Sequence, residues 1–484
     1  MTTHGDRAGG GSIADDVQES LVAEKYAHKL IRTLRIRLED RPGKLAEVAT
    51  AIGNEGGLIG DIESLSINSQ SVLRNVTVYV DDAVHLDRLL ERLACLDGVT
   101  VERVVDDVLA IHEGGKLRVA ARVAVDNLRD LQRIYTPGVA SVCRTIADNE
   151  AAFRRYTWVA NTVAIVTDGS AVLGLGDIGP RAGLPVMEGK AVILDRLAGV
   201  GCVPILLSGG MSTEEIVRTV EAVAAGFGAI MLEDIAAPRC FEIESMLSRR
   251  LPIPVFHDDQ HGTAVIVLAA LISACRKLDT SLEPLRVVIA GSGAAGSATA
   301  RLLLAAGVVE VICCDRGGAL YKGRTEHMNP AKDALADVTN PRGRRGSLAE
   351  VMAGANVFVG LSSAGLVSRA MVASMAQPRI VLALANPKPE IAPRDAIEAG
   401  AAVAVDGRTV NNALVFPGLI RGTLDAGARR ITEAMKLAAA RAIADRTPEN
   451  LILPSILNRD VHTAVAEAVQ KAWQETPQPS AEQP

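Results

Sequence analysis

The stretch from Leu285 to Asp315, LRVVIAGSGAAGSATARLLLAAGVVEVICCD, reads as an apolar strand, a glycine-rich turn, a helix, a second apolar strand and a terminal acid. Gly291, Gly293 and Gly296 follow the first strand directly and open the helix. In that setting the first glycine makes the turn, the second lets backbone approach a pyrophosphate, and the third packs helix on strand. Ala294 and Ala295 complete the turn, where backbone amides and the positive end of the helix dipole meet an anion. Asp315, 24 positions after Gly291, is placed to accept hydrogen bonds from adenosine ribose hydroxyls and to repel a 2′-phosphate, which favours NAD. Arg316 beside it is able to pair with that phosphate, so NADP remains an alternative.

Working outward, further apolar strands at 357–361, 380–385 and 402–405 extend this unit over residues 283–440 as a Rossmann-type dinucleotide-binding domain. Upstream, strands at 163–167, 203–207, 229–233 and 253–256 alternate with helical periodicity. This predicts a mainly parallel sheet in a second α/β domain, residues 109–282, with functional residues at the strand C-termini. Residues 29–108 read strand, helix, strand, strand, helix, strand, a βαββαβ module of ferredoxin type. Helices are expected over 441–475, and mobile tails over 1–28 and 476–484. The fold class is therefore α/β, in three parts.

Composition agrees. At about 150 residues per domain, 484 residues hold roughly three domains, and 48% hydrophobic with only 3% aromatic residues implies aliphatic cores of the parallel-sheet kind. A net charge of −6 gives the chain no general attraction for nucleic acid or anionic membrane. The apolar run Ala264–Cys275 is too short to span a bilayer, which needs about 20 residues, and Met1–Ser12 lacks the apolar core of a signal peptide. A cytoplasmic location follows. The seven cysteines form no C-x-x-C pair, and most have apolar neighbours, so they are read as reduced core residues.

Two acidic pairs carry the second signal: Glu233-Asp234 at one strand end, and Asp258-Asp259, after His257, at another. Adjacent carboxylates repel one another unless a divalent cation is bound, and an all-oxygen set suits Mg2+ or Mn2+. The alternative is a pair of solvated helix caps. His257 and His261 lack a neighbouring cysteine for a zinc site and are assigned supporting or capping roles. A third signal is Lys190, in Pro185-Val-Met-Glu-Gly-Lys-Ala-Val-Ile-Leu. Read at the start of an apolar helix, it gains a lowered pKa from the dipole and partial burial, which suits a general base. Tyr135 precedes a Thr-Pro-Gly turn, which aims its phenol into a cleft.

Taken in order, these segments resemble the malic enzymes, specifically the smaller bacterial type. The motifs are Tyr135-Thr-Pro-Gly-Val, Thr167-Asp-Gly-Ser-Ala-Val-Leu-Gly-Leu-Gly-Asp, Gly189-Lys190, Glu233-Asp234-Ile-Ala-Ala-Pro-Arg-Cys-Phe, Phe256-His-Asp-Asp-Gln-His-Gly-Thr, Ala385-Asn386-Pro-Lys-Pro-Glu and Asn411-Asn412-Ala-Leu-Val-Phe-Pro-Gly. The resemblance implies that Glu233, Asp234 and Asp259 bind the metal, that Asp258 hydrogen-bonds Lys190, that Tyr135 is the acid, and that Asn386 and one of Asn411 and Asn412 contact substrate. It implies oxidative decarboxylation of (S)-malate to pyruvate and CO2 with reduction of NAD. One departure stands out: where larger members carry a carboxylate-clamping arginine this chain has Ala171, with Arg181 close in sequence.

The N-terminal LEDRPGKLAEVATAIGNEGGLI resembles the ACT domain, a regulatory amino-acid-binding module. That implies an amino-acid effector near Gly43, whose turn offers free backbone N–H groups, and pairing of chains into a homodimer or higher homo-oligomer. Two rival readings are a malolactic enzyme, which returns the hydride to make lactate, and a non-catalytic protein that senses an amino acid or NAD.

Overall fold

The structure, a computed structural model, describes Tyr26, residues 29–172 and residues 174–476. The expected mobile tails and the absence of a signal sequence at Met1–Ser12 concern residues almost wholly outside these. The chain divides into two compact units, one through Lys116 and one from Leu117 onward.

In the first unit β1 (Leu30–Glu39), β2 (Leu58–Ile67), β3 (Ser71–Val80) and β4 (Val99–Asp106) form a sheet of order β2-β3-β1-β4. β1 pairs antiparallel with both β3 and β4. Alternation along β1 puts Leu34, Ile36 and Leu38 on one face, where Val48 and Ile52 of the Lys44–Asn54 helix and Leu89 and Leu93 of the Ala83–Ala94 helix cover them. This is the βαββαβ module expected from the sequence. Gly43 caps the Lys44–Asn54 helix with φ of 86°, a left-handed conformation that glycine tolerates without strain, and the space where a side chain would stand is open.

The second unit holds two sheets. β5 (Thr162–Thr167), β6 (Gly201–Leu206), β7 (Ala229–Leu232) and β8 (Val255–His257) form a parallel sheet of order β6-β5-β7-β8. The other sheet has the order β11-β10-β9-β12-β13-β14. Its members are β9 (Arg286–Ala290), β10 (Glu310–Asp315), β11 (Gly318–Ala319), β12 (Val357–Gly360), β13 (Ile380–Ala383) and β14 (Val403–Asp406), all parallel except β11. The chain leaves β9 toward β10 on one side and later returns to β12 on the other, so a crevice opens beyond the C-termini of β9 and β12, where doubly wound sheets take their ligands. The apolar run Ala264–Cys275 lies inside the Asp258–Lys277 helix, almost wholly buried between the sheets. No described helix is long and apolar enough to cross a membrane.

The cysteine expectation needs one correction. Cys240, Cys275, Cys313 and Cys314 are buried, but Cys95 and Cys143 are exposed. Burial pushes the Cys240 thiol up to about 12.

Candidate active site

Parallel pairing of β7 with β8 sets Leu232 opposite His257, so the residues that leave the two strands emerge side by side. Glu233 and Asp234 follow β7; Asp258 and Asp259 open the Asp258–Lys277 helix after β8. Oxygens of Glu233, Asp234 and Asp259 lie within 4.8 Å of one another. The backbone locks this approach: the Asp234 N–H donates to Asp259 Oδ2 at 2.9 Å, and its carbonyl accepts from the Ala171 N–H at 3.0 Å. Asp234 takes a left-handed φ of 54° to do so, a strained conformation of the kind that persists where the surroundings over-determine it.

Three of the four carboxylates are buried rather than solvated caps, and Asp259 is partly exposed. Glu233, Asp234 and Asp258 are 2%, 1% and 0% exposed. Burial drives the Glu233 carboxyl well above its ordinary range; Lys190 opposes this, and Asp259, Asp258 and Asp234 reinforce it. Glu233 Oε2 and Asp258 Oδ1 are buried without a hydrogen-bond partner, an arrangement that costs free energy unless something supplies positive charge there. An all-oxygen set with an unsatisfied buried oxygen fits a hard divalent cation.

Lys190 reaches this cluster from the Gly179–Ala198 helix, with Nζ 2.5 Å from Asp258 Oδ2 and 3.1 Å from Glu233 Oε1. Two expectations are corrected. Lys190 sits in the middle of a 20-residue helix rather than at its start, so the N-terminal dipole does not act on it. Burial does push its pKa down, but Asp258, Glu233 and Asp259 together outweigh burial and hold the ammonium above its ordinary value.

The other wall comes from the far end of the chain. Asn412 Nδ2 donates to Asp258 Oδ2 at 3.3 Å, and its Oδ1 accepts from Thr263 at 3.3 Å. The Phe416 ring centre lies 4.8 Å from Lys190 Nζ, a cation–π distance. Asn411 instead turns back to accept the Ala413 N–H at 2.9 Å. The paired asparagines are thus separated by geometry: Asn412 faces the cluster, and Asn411 caps its own turn. Asn386 is exposed in the loop after β13. That loop is anchored by buried Glu390, which accepts the N–H of Ala385 at 3.1 Å and of Ser362 at 2.9 Å.

Tyr135 is not brought to the cluster. It stands 67% exposed at the end of the Leu128–Ile134 helix and makes no hydrogen bond to Lys190 or the carboxylates. Arg181 is exposed in the first turn of the Gly179–Ala198 helix. Sequence reading passed over the brace behind the site. Arg239 pairs with buried Asp168, Asp168 accepts from Ser170 Oγ at 2.6 Å, and that Oγ accepts the Ala236 N–H at 2.9 Å. All four lie inside or beside the quoted motifs, so the motifs were the available signal.

At the dinucleotide turn, Gly291 has φ of 113°, and a Cβ there would stand 2.4 Å from the Leu361 carbonyl; one on Gly296 would stand 1.9 Å from the Gly291 carbonyl. Gly293, at the cap of the Ala294–Ala305 helix, has open space before it, which leaves room for a pyrophosphate at the helix N-terminus that Ala294 and Ala295 begin. Asp315 is held by Arg324 at 2.7 Å and Lys332 at 2.6 Å. Burial alone would raise its carboxyl, but the Lys332 and Arg324 bonds and the Gly317 N–H bring it below the ordinary value. Arg316 is exposed and makes no ion pair among the described residues.

The N-terminal domain of malic enzymes matches residues 115–216, and the malic enzyme NAD-binding domain matches residues 260–474. The chain belongs to the malic enzymes. This malic enzyme also carries an ACT domain at residues 29–103. It is 46% identical over 450 residues to the NAD-dependent malic enzyme of Geobacillus stearothermophilus, an alignment covering 91% of this chain and 94% of the relative. It is 44% identical over 448 residues to NAD-dependent malic enzyme 1 of Bacillus subtilis, covering 92% and 98%. Among solved structures, the NAD-dependent malic enzyme of Thermotoga maritima superposes with a TM-score of 0.72 at 41% identity, covering 75% of this chain and 99% of that one.

Proposed function

We propose that this malic enzyme converts (S)-malate and NAD+ to pyruvate, CO2 and NADH, using Mg2+ or Mn2+. The observation that carries the reading is Lys190 lodged between Asp258 and Glu233, with Glu233, Asp234 and Asp259 converging beside it. These three carboxylates would hold the cation. When bound, it supplies positive charge that orients a 2-hydroxy acid and stabilises the enolate left by decarboxylation.

The chain's own residues do the rest. Lys190 acts as the base in its neutral amine form, which a cation held by Glu233, Asp234 and Asp259 would favour by neutralising the carboxylates that otherwise keep the ammonium protonated. It takes the C2 hydroxyl proton as hydride leaves C2 for the nicotinamide; oxaloacetate then loses its β-carboxylate, and a proton added at C3 gives pyruvate. Asp258 holds the Lys190 nitrogen in place, and Asn412 holds Asp258. Asn386 and Asn412 are the substrate-contacting amides. Tyr135 is the acid that delivers the C3 proton. Its exposure here requires its segment to close on the site, or to meet it in an assembly. Exposed Val119, Val123, Val125 and Leu128 in the same segment support a homo-oligomer. Gly291, Gly293, Ala294, Ala295 and Gly296 receive the pyrophosphate, and Asp315 favours NAD over NADP.

The ACT domain supports regulation by a small amino acid at Gly43, and thermal shift with each of the 20 amino acids tests it. Stabilisation of the full chain but not of residues 117–484 supports the site, and no response in either removes it. The catalytic reading is tested by following NADH from malate and Mn2+, with NAD and NADP in parallel. Pyruvate with NADH supports it, and the absence of pyruvate with either nucleotide overturns it. A second reading, hydride return to lactate, is favoured by 46% identity over 383 residues to the bifunctional malic/malolactic enzyme of Bacillus subtilis; lactate as the main product would select it.

A further inference from the structure

The turn from His257 to His261 presents both Asp258 and Asp259, and one carboxylate fastens it from outside. Glu244, on the Arg239–Arg250 helix, accepts the His257 backbone N–H at 3.1 Å through Oε1. Its Oε2 accepts from Gln260 Nε2 at 3.0 Å. His261 Nε2 stands 2.9 Å from Oε1 and 3.1 Å from Oε2. The three partners bracket Asp258 and Asp259 on both sides. Beyond His261, Lys436 Nζ lies 3.2 Å from Nδ1. Lysine only donates, so Nδ1 is the acceptor and Nε2–H points at Glu244.

Cavities of about 360 and 400 Å3 both border Phe241, Gln260 and His261, so on this outer side the buried turn has fewer packing neighbours and the Glu244 bonds carry more of its positioning. Glu244 is 14% exposed, where its charge-assisted bonds are stronger than neutral ones. The turn in turn sets the metal cluster, because Asp259 Oδ2 accepts the Asp234 N–H.

We propose that Glu244 is a positioning residue: by clamping residues 257, 260 and 261 it sets the approach of Asp259 to Glu233 and Asp234, and with it the affinity of the cluster for a divalent cation. This rests on the metal reading above. It is tested by titrating the metal-stripped full-length protein with Mn2+ and following free Mn2+ by electron paramagnetic resonance, without malate or NAD. Glu244→Gln keeps one carbonyl acceptor but turns an amide toward the Gln260 and His261 donors. The double variant Glu244→Leu/Lys436→Met leaves no unpaired buried charge and guards against misfolding. Both are expected to raise the Mn2+ dissociation constant about 10- to 100-fold, the usual cost of losing a group that orients metal ligands, with NAD affinity unchanged within about twofold. A purely structural role would lower the melting temperature and leave the Mn2+ affinity of the folded protein intact. Mn2+ binding by the folded double variant within about threefold of the unmodified chain overturns the proposal. An unmodified chain that binds no Mn2+ overturns the metal reading itself.

Discussion

The Lys190 ammonium nitrogen stands 3.1 Å from Glu233 Oε1, so the candidate base and a candidate metal ligand share one buried electrostatic field. Replacing Lys190 by Ala is expected to cost at least about 3 kcal/mol of transition-state stabilisation, about a hundredfold in kcat or more. NAD binding should be unchanged, because Lys190, on the Gly179–Ala198 helix, is no part of the glycine turn that opens the Ala294–Ala305 helix. Steady-state kinetics with a nucleotide titration check both halves, and near-normal turnover removes Lys190 from the chemistry.

Asp315 separates two cations. With its carboxylate gone, Arg324 and Lys332 have no anion between them and become a receptor for a 2′-phosphate. Asp315→Ser should therefore shift the ratio of kcat/KM for NADP over NAD upward by about 1–2 kcal/mol, about tenfold. An unchanged ratio means that this corner does not reach the ribose.

The two asparagines should fail in different ways. Asn412→Ala removes a donor to Asp258 and an acceptor for Thr263; it should lower kcat/KM for malate with little loss of stability. Asn411→Ala removes a cap on the Ala413 N–H and should cost about 1 kcal/mol of stability with near-normal kinetics. Parallel melting curves and malate titrations check the contrast.

Stability should fall in mild acid through His462. Its ring is buried, with Nε2 donating to the Ile456 carbonyl at 2.8 Å and Nδ1 unpartnered. Burial pushes its pKa below the ordinary 6.5, and the Ile456 bond only partly offsets this. Above that value folded and unfolded rings are both neutral. Below it the unfolded chain takes up a proton that the folded chain resists, so stability declines until the folded ring also titrates. Melting temperature between pH 7.5 and 5.5 should fall less in His462→Leu than in the unmodified chain, and an equal fall would exclude His462 as a source of the effect.

What could be read from sequence was what depends on local geometry. Gly291 and Gly296 were legible because the turn admits no side chain at either position, and the acidic pairs were legible because parallel strands deliver their ends to one edge. Lys190 was misplaced for a physical reason: Pro185 and the glycines at 183 and 189 are poor helix formers, yet all lie inside the Gly179–Ala198 helix, where packing of Met187, Ala191 and Leu194 in the core overrides propensity. Glu244 and Asp168 were invisible as working residues, because the partners of Glu244 lie 13 to 17 positions away and the ion-pair partner of Asp168, Arg239, lies 71 positions away, and neither breaks a local pattern. Tyr135 was read from its Thr-Pro-Gly turn and its motif, neither of which fixes where the phenol goes, and it stands exposed at the end of the Leu128–Ile134 helix.

The most direct test follows the fourth carbon of the substrate. With (S)-malate carrying 13C at C4, together with NAD+ and Mn2+, label should leave as CO2 in step with NADH, one for one, with unlabelled pyruvate as the other product. Label retained in a four-carbon acid, or CO2 released without net NADH, would contradict oxidative decarboxylation.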